Sequence, residues 1–175
     1  MPNRSRPNGK RNYAFLLLIA TYGVRRHQAR SLKLRDIRWR EGLIHFPSCK
    51  GGKPLCFPLY ENVAEALLDY IKNARGKFAF EEVFLQKRTT PKPLGDSSLD
   101  STLKIYYQRA GIKSQTTGFH AIRHAFVTKL MKEQTPIKNI SDLLGHRSIK
   151  STYIYTKVDL PQLRTLCREW PVVML

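Results

Sequence analysis

Between residues 43 and 59 the spacing of apolar side chains changes, and that change limits the fold more than any other feature. LIHFPS (43–48) and PLCFPL (54–59) are short, strand-like runs. CKGGK joins them, a Gly-Gly turn with Lys50 and Lys53 on its two sides, so the pair is predicted to be an antiparallel hairpin. Elsewhere the spacing is mostly helical. AFLLLIA (14–20) lies in a helix expected over 12–22, which Gly23 can end, and a second helical segment follows over 25–34. Apolar residues at 63, 67, 68 and 71 predict a helix over 61–73. VFLQ (83–86) is expected as a third strand.

Asp96 or Ser97 is placed to cap a helix ending near Gly111. Further helices are expected over 119–133, over 136–144 behind Pro136, over 148–156, and from Pro161 to about 168. The predicted architecture is mainly α with a small antiparallel three-stranded sheet, an α+β domain. Residues 1–11 carry Pro, Asn, Gly and Arg without apolar periodicity. They are expected to form a flexible basic arm or linker remnant ahead of a single domain over 12–175.

Charge narrows the partner. Thirty-one Lys and Arg oppose thirteen Asp and Glu, a formal net charge of +18. Residues 1–40 hold eleven of the bases and one acid, Asp36. Such a surface seeks a polyanion, most often nucleic acid. A solvated basic face, or a ribosome-like RNA binder, has the same composition. Cys49, Cys56 and Cys167 form no CxxC pair, which argues for a reducing cytoplasmic, nucleoid-associated setting over a disulfide framework. AFLLLIA is too short to span a bilayer, so no membrane partner is expected.

Four stretches carry residues able to do chemistry. In HAIRH (120–124), His120, Arg123 and Val127 fall at i, i+3 and i+7. An imidazole beside a guanidinium suits a phosphate, although paired histidines on a helix often only pack or cap. The i, i+4 histidines resemble the zinc helix HExxH but lack its glutamate, so no metal is expected. In LLGHRS (143–148), His146 follows Gly145 at a helix–helix turn. Arg25 and Arg26 follow Gly23 and Val24 at a helix start, where a cation is disfavoured unless an anion arrives. Lys50 and Lys53 sit at the hairpin tip, where either is also an ordinary exposed lysine. Finally, GHRSIKSTYIYTK (145–157) holds Tyr153 and Tyr155, two residues apart and so on different helix faces.

Taken in order, GVR, the CKGGKPL hairpin, HAIRH, LLGH and STYIYT resemble the boxes of the tyrosine recombinases, the phage-integrase family. The ending YTKVDLPQLRTL…WP resembles transposon- and plasmid-borne members. The resemblance runs from about Tyr13 to Arg168. It implies the catalytic-domain fold of the DNA breaking–rejoining enzymes, and it makes Arg25, Lys50, His120, Arg123 and His146 catalytic, with Tyr155 as nucleophile. The step from His146 to Tyr155, and Thr156 after it, select Tyr155; periodicity alone does not separate it from Tyr153. Arg26, Lys53, Arg147 and Lys150 are the expected DNA-binding residues.

The implied reaction cuts and rejoins double-stranded DNA through a 3′-phosphotyrosyl intermediate. It needs no cofactor, neither metal nor ATP. The implied assembly is a tetramer on DNA, with an isolated domain monomeric. Two departures stand out. Gln28 occupies a position where many members have glutamate, and the family's amino-terminal core-binding domain has no counterpart ahead of residue 12. A non-catalytic DNA-binding remnant, or a truncated recombinase, is the alternative reading.

Overall fold

The computed structural model describes residues 2–48, 54–86, 89–112 and 118–145. Its organising element is helix α1, Pro7–Tyr22. Ala14, Phe15, Leu18, Ile19 and Tyr22 fall on one face and are buried, as a 3.6-residue period requires. The helix begins five residues before the expected start at residue 12. Pro7 stands in the first turn, where its missing N–H is no loss and its fixed φ favours the helix. The segment expected as an arm therefore contributes about one and a half turns, and Arg11 within it is only 6% exposed.

α1 stops at Gly23, whose φ of 61° lets its N–H return to the Ile19 carbonyl at 2.9 Å. A Cβ there would meet the Phe126 ring at 2.2 Å, so the position needs glycine for space as well as conformation. Beyond it come α2 (Arg26–Arg30), a 3₁₀ turn (Leu34–Asp36) and three short strands. The strands are β1 (Ile37–Arg38), β2 (Leu43–Phe46) and β3 (Leu55–Pro58), in sheet order β1-β2-β3. All pairing is antiparallel, with Ile37 opposite Ile44 and Phe46 opposite Leu55. Tyr22 locks this sheet to α1. Its hydroxyl donates to the Pro58 carbonyl at 2.8 Å and accepts from the Tyr60 N–H at 3.2 Å, and its ring stacks on Tyr60.

The three-stranded sheet matches the expected size, but its third member is Ile37–Arg38, not 83–86. The tight connection through Gly42 brings Ile37 beside Ile44 at little loop-closure cost. Val83 and Phe84 are fully buried instead. The Val83 N–H bonds the Leu32 carbonyl at 2.8 Å. Only β4 (Leu85–Gln86) forms ladder pairs there, with β5 (Lys92–Pro93).

Helix α3 (Glu61–Tyr70) runs into a π-helical turn (Ile71–Arg75) and packs along α1. α4 (Asp96–Arg109) starts at Asp96, behind Gly95 at the cap position. α5 (Phe119–Lys132) and α6 (Ile137–Leu143, behind Pro136) complete the described chain. α5 reaches the core through Phe119, which meets Phe15 edge-on at 5.6 Å between ring centroids. Val127, Ile140 and Leu144 form a smaller cluster between α5 and α6. Among the described residues no helix is long and apolar enough to cross a membrane. The helices expected over 148–156 and from Pro161 lie outside the described residues.

Candidate active site

Three chain junctions meet at one point: the end of α1, the start of α2 and the end of α6. A helix leaves its last carbonyls without intrahelical partners, and at α6 one of these is Leu144. Arg123 donates to it through Nη2 at 3.2 Å, and Arg25 through Nη1 at 3.4 Å. Arg123 also donates through Nη1 to the Gly23 carbonyl, so its guanidinium clasps α6 to the end of α1. It is 4% exposed. The buried line on α5 is Phe119, Arg123 and Val127, while His120 is exposed one residue further round.

Gln28 holds the start of α2. Its Oε1 accepts from the Arg25 N–H at 3.1 Å, and its Nε2 donates to the Pro47 carbonyl at 3.1 Å. The side chain is 1% exposed. Both ends of the amide are thus used, one on the Arg25 backbone and one on the residue directly after β2. A carboxylate has acceptors only, so an ionised glutamate has no donor for Pro47.

Arg25, Arg26, His120 and Arg123 line a recess of about 150 Å³ together with Asp100 and Phe119. Arg26 places Nη1 at 2.6 and 2.7 Å from the two carboxylate oxygens of Asp100, and its Cζ lies 5.9 Å from the Phe119 ring centroid. α2 has only five residues, so its dipole is a minor influence on these cations. Arg25 is oriented by the Leu144 carbonyl and Arg26 by Asp100. His124, on α5, has its pKa lowered by burial and by the neighbouring His120 and Arg123, which favours its neutral form.

Four of the sequence-derived site residues, Arg25, Arg26, His120 and Arg123, therefore share one recess. Lys50, Lys53, His146, Arg147, Lys150 and Tyr155 lie outside the described residues. The described chain ends at Gly145, directly after the carbonyl that both arginines hold. Asp100 is a residue of the recess that the sequence does not single out. It belongs to a distant helix, and no local pattern ties it to Arg26. Chemically, the recess offers a cluster of guanidinium donors and an imidazole to a tetrahedral anion, with one carboxylate engaged by Arg26.

Comparison with known proteins gives the family and the fold. Residues 1–160 match the family described as Phage integrase family. A Sinorhizobium fredii protein named as an integrase/recombinase is 37% identical over 170 residues, covering 97% of this chain and 41% of the relative. The tyrosine recombinase XerA of Thermococcus kodakarensis is 32% identical over 158 residues, covering 90% and 55%. The crystal structure of a XerA recombinase superposes with a TM-score of 0.75 at 28% identity, over 90% of this chain and 55% of that one. The chain thus spans about half, or less, of the length of these proteins.

Proposed function

The chain belongs to the phage integrase family, and from that premise we propose that it is the catalytic part of a tyrosine-type site-specific DNA recombinase. The single observation that carries this reading is the convergence of Arg25 and Arg123 on the Leu144 carbonyl. It holds two guanidinium groups side by side in a recess that His120 also lines. Guanidinium forks match the nonbridging oxygens of a phosphodiester. Donors fixed before the substrate arrives stabilise the charge that develops on those oxygens, each worth roughly 10²- to 10³-fold in rate.

In the proposed reaction the Tyr155 phenolic oxygen attacks the scissile phosphorus and the bond to the 5′ oxygen breaks. This leaves a 3′-phosphotyrosyl link and a free 5′ hydroxyl. A phenol has a pKa near 10, so its proton must be taken during attack. His120 is assigned that work, Lys50 protonates the departing 5′ oxygen, and His146 donates to the phosphate. The covalent link retains the phosphoester energy, so rejoining needs no ATP. Arg26, Lys53, Arg147 and Lys150 are assigned to flanking DNA phosphates, and assembly of a tetramer on DNA belongs to the same proposal.

The test is a nicked suicide duplex carrying the cognate site, scored for a covalent protein–DNA adduct. An adduct with the native chain that disappears in Tyr155→Phe supports the reading. Salt-sensitive binding with no adduct reduces the chain to a DNA-binding module.

A further inference from the structure

A second cationic cavity lies at the other end of α1. Arg11 precedes Gly23 by twelve residues, which sets it about 18 Å along the helix from the Arg25 recess. The cavity is about 270 Å³ and has Arg11, Arg75 and Tyr70 among its walls, with Pro7, Phe78 and Pro91 at its apolar sides. Both guanidinium groups belong to residues only 6% exposed. Arg11 donates from Nε and Nη2 to Asn12 Oδ1 at 3.0 and 2.9 Å, and from Nη1 to the Leu85 carbonyl at 3.1 Å. Arg75 is held by the carbonyls of Gly76, Phe80, Glu82 and Val83. Every partner is a neutral dipole. Neither arginine has a carboxylate within ion-pair reach among the described residues.

An arginine does not escape burial by losing its proton. Two like charges facing one cavity without a counter-ion are costly, because the low local dielectric strengthens their repulsion. Burial pulls the Arg11 pKa down, and Tyr70 feels both cations. The Tyr70 hydroxyl accepts the Leu85 N–H at 3.1 Å, which leaves its own proton as a donor. A guanidinium fork fits carboxylate or phosphate alike, but two cations match the charge of a phosphate dianion better than that of one carboxylate.

We propose that this cavity is a non-catalytic oxyanion site that takes a phosphate group between Arg11 and Arg75, with the Tyr70 hydroxyl as a further donor. The site is independent of the catalytic reading. The dianion of free phosphate or of a small phosphomonoester matches both cations, whereas a DNA backbone phosphodiester, a monoanion, offers the same oxygens with one charge fewer.

The experiment titrates inorganic phosphate by calorimetry at constant ionic strength into the full chain carrying Arg25→Ala, which removes one donor from the other recess. One saturable site is expected. Tyr70→Phe on that background weakens it about tenfold, the worth of one hydrogen bond to a charged group, and Arg11→Met abolishes it. Should Arg11→Met fail to fold, Arg11→Lys keeps the charge, loses the fork, and is expected to weaken binding at least as much as Tyr70→Phe. No saturable site, or an affinity unmoved by both Tyr70→Phe and Arg11→Lys, overturns the proposal. A short duplex added as competitor then fixes the source. Displacement of phosphate that depends on Arg11 assigns the site to DNA backbone, and no displacement assigns it to a free phosphate; either result upholds the site.

Discussion

Arg25 and Arg123 donate to the same oxygen, the Leu144 carbonyl, at 3.4 and 3.2 Å. One orphan acceptor at a helix end thereby sets the spacing of two cations from distant parts of the chain. The two are not equivalent. Arg123 is buried and clasps the Gly23 carbonyl as well, whereas Arg25 is half-buried and its contact is long.

Arg25→Ala and Arg123→Ala should therefore separate stability from catalysis. Arg123→Ala strands the buried Gly23 carbonyl and leaves the Leu144 carbonyl only its long contact with Arg25; a stranded carbonyl costs about 1–3 kcal/mol, so urea unfolding should show a loss of about 2–4 kcal/mol. Arg25→Ala should cost under about 1 kcal/mol while slowing adduct formation by roughly 10²- to 10³-fold. Equal losses of stability in the two variants would count against the division.

Tyr155→Phe is expected to abolish the covalent adduct and Tyr153→Phe to retain it, judged on denaturing gels with a suicide substrate. The reverse pattern would move the nucleophile to Tyr153.

With Arg26 assigned to a DNA phosphate as proposed, Asp100 is its competitor for that guanidinium. Asp100→Asn removes one negative charge from beside that guanidinium, so duplex binding should tighten a few-fold at low salt, the scale of an exposed ion pair. The slope of log K against log salt should steepen by about one phosphate contact. Anisotropy titrations at several salt concentrations measure both, and an unchanged slope would exclude Arg26 from phosphate contact.

Gly23→Ala should lower the thermal midpoint sharply. The φ of 61° disfavours any side chain by roughly 1–2 kcal/mol, and the added methyl overlaps Phe126. Adding Phe126→Leu should recover only the steric part.

Asp69 gives the fold a pH dependence. Hydrogen bonds from Lys10 and Asn73 hold its carboxyl below the usual carboxylate range. A depressed pKa contributes stability that is present above the unfolded value and lost as pH falls through the folded value. The pair is partly exposed, so its contribution is no more than about 1 kcal/mol. Asp69→Asn should unfold more easily than the native chain at neutral pH, and the difference should close in acid.

Much of this protein was legible in order along the chain. The hairpin, the helix over 61–70, the stop at Gly23 and the HAIRH helix follow from period and from glycine or proline punctuation, which are local properties. The family boxes are local too, and they single out Arg25 and Arg123. Tertiary structure decided what periodicity leaves open. Ile37 took the sheet edge expected for 83–86, because a short turn closes at lower entropic cost than a distant segment. Residues 7–11 joined α1, because Arg11 found carbonyl and amide partners that no sequence period records. Asp100 reached Arg26, and one Leu144 carbonyl gathered two arginines, only because helices distant in sequence pack side by side. Hydrogen bonds of that kind are set by where backbone groups end up unpaired, and that is known only once the helices have met.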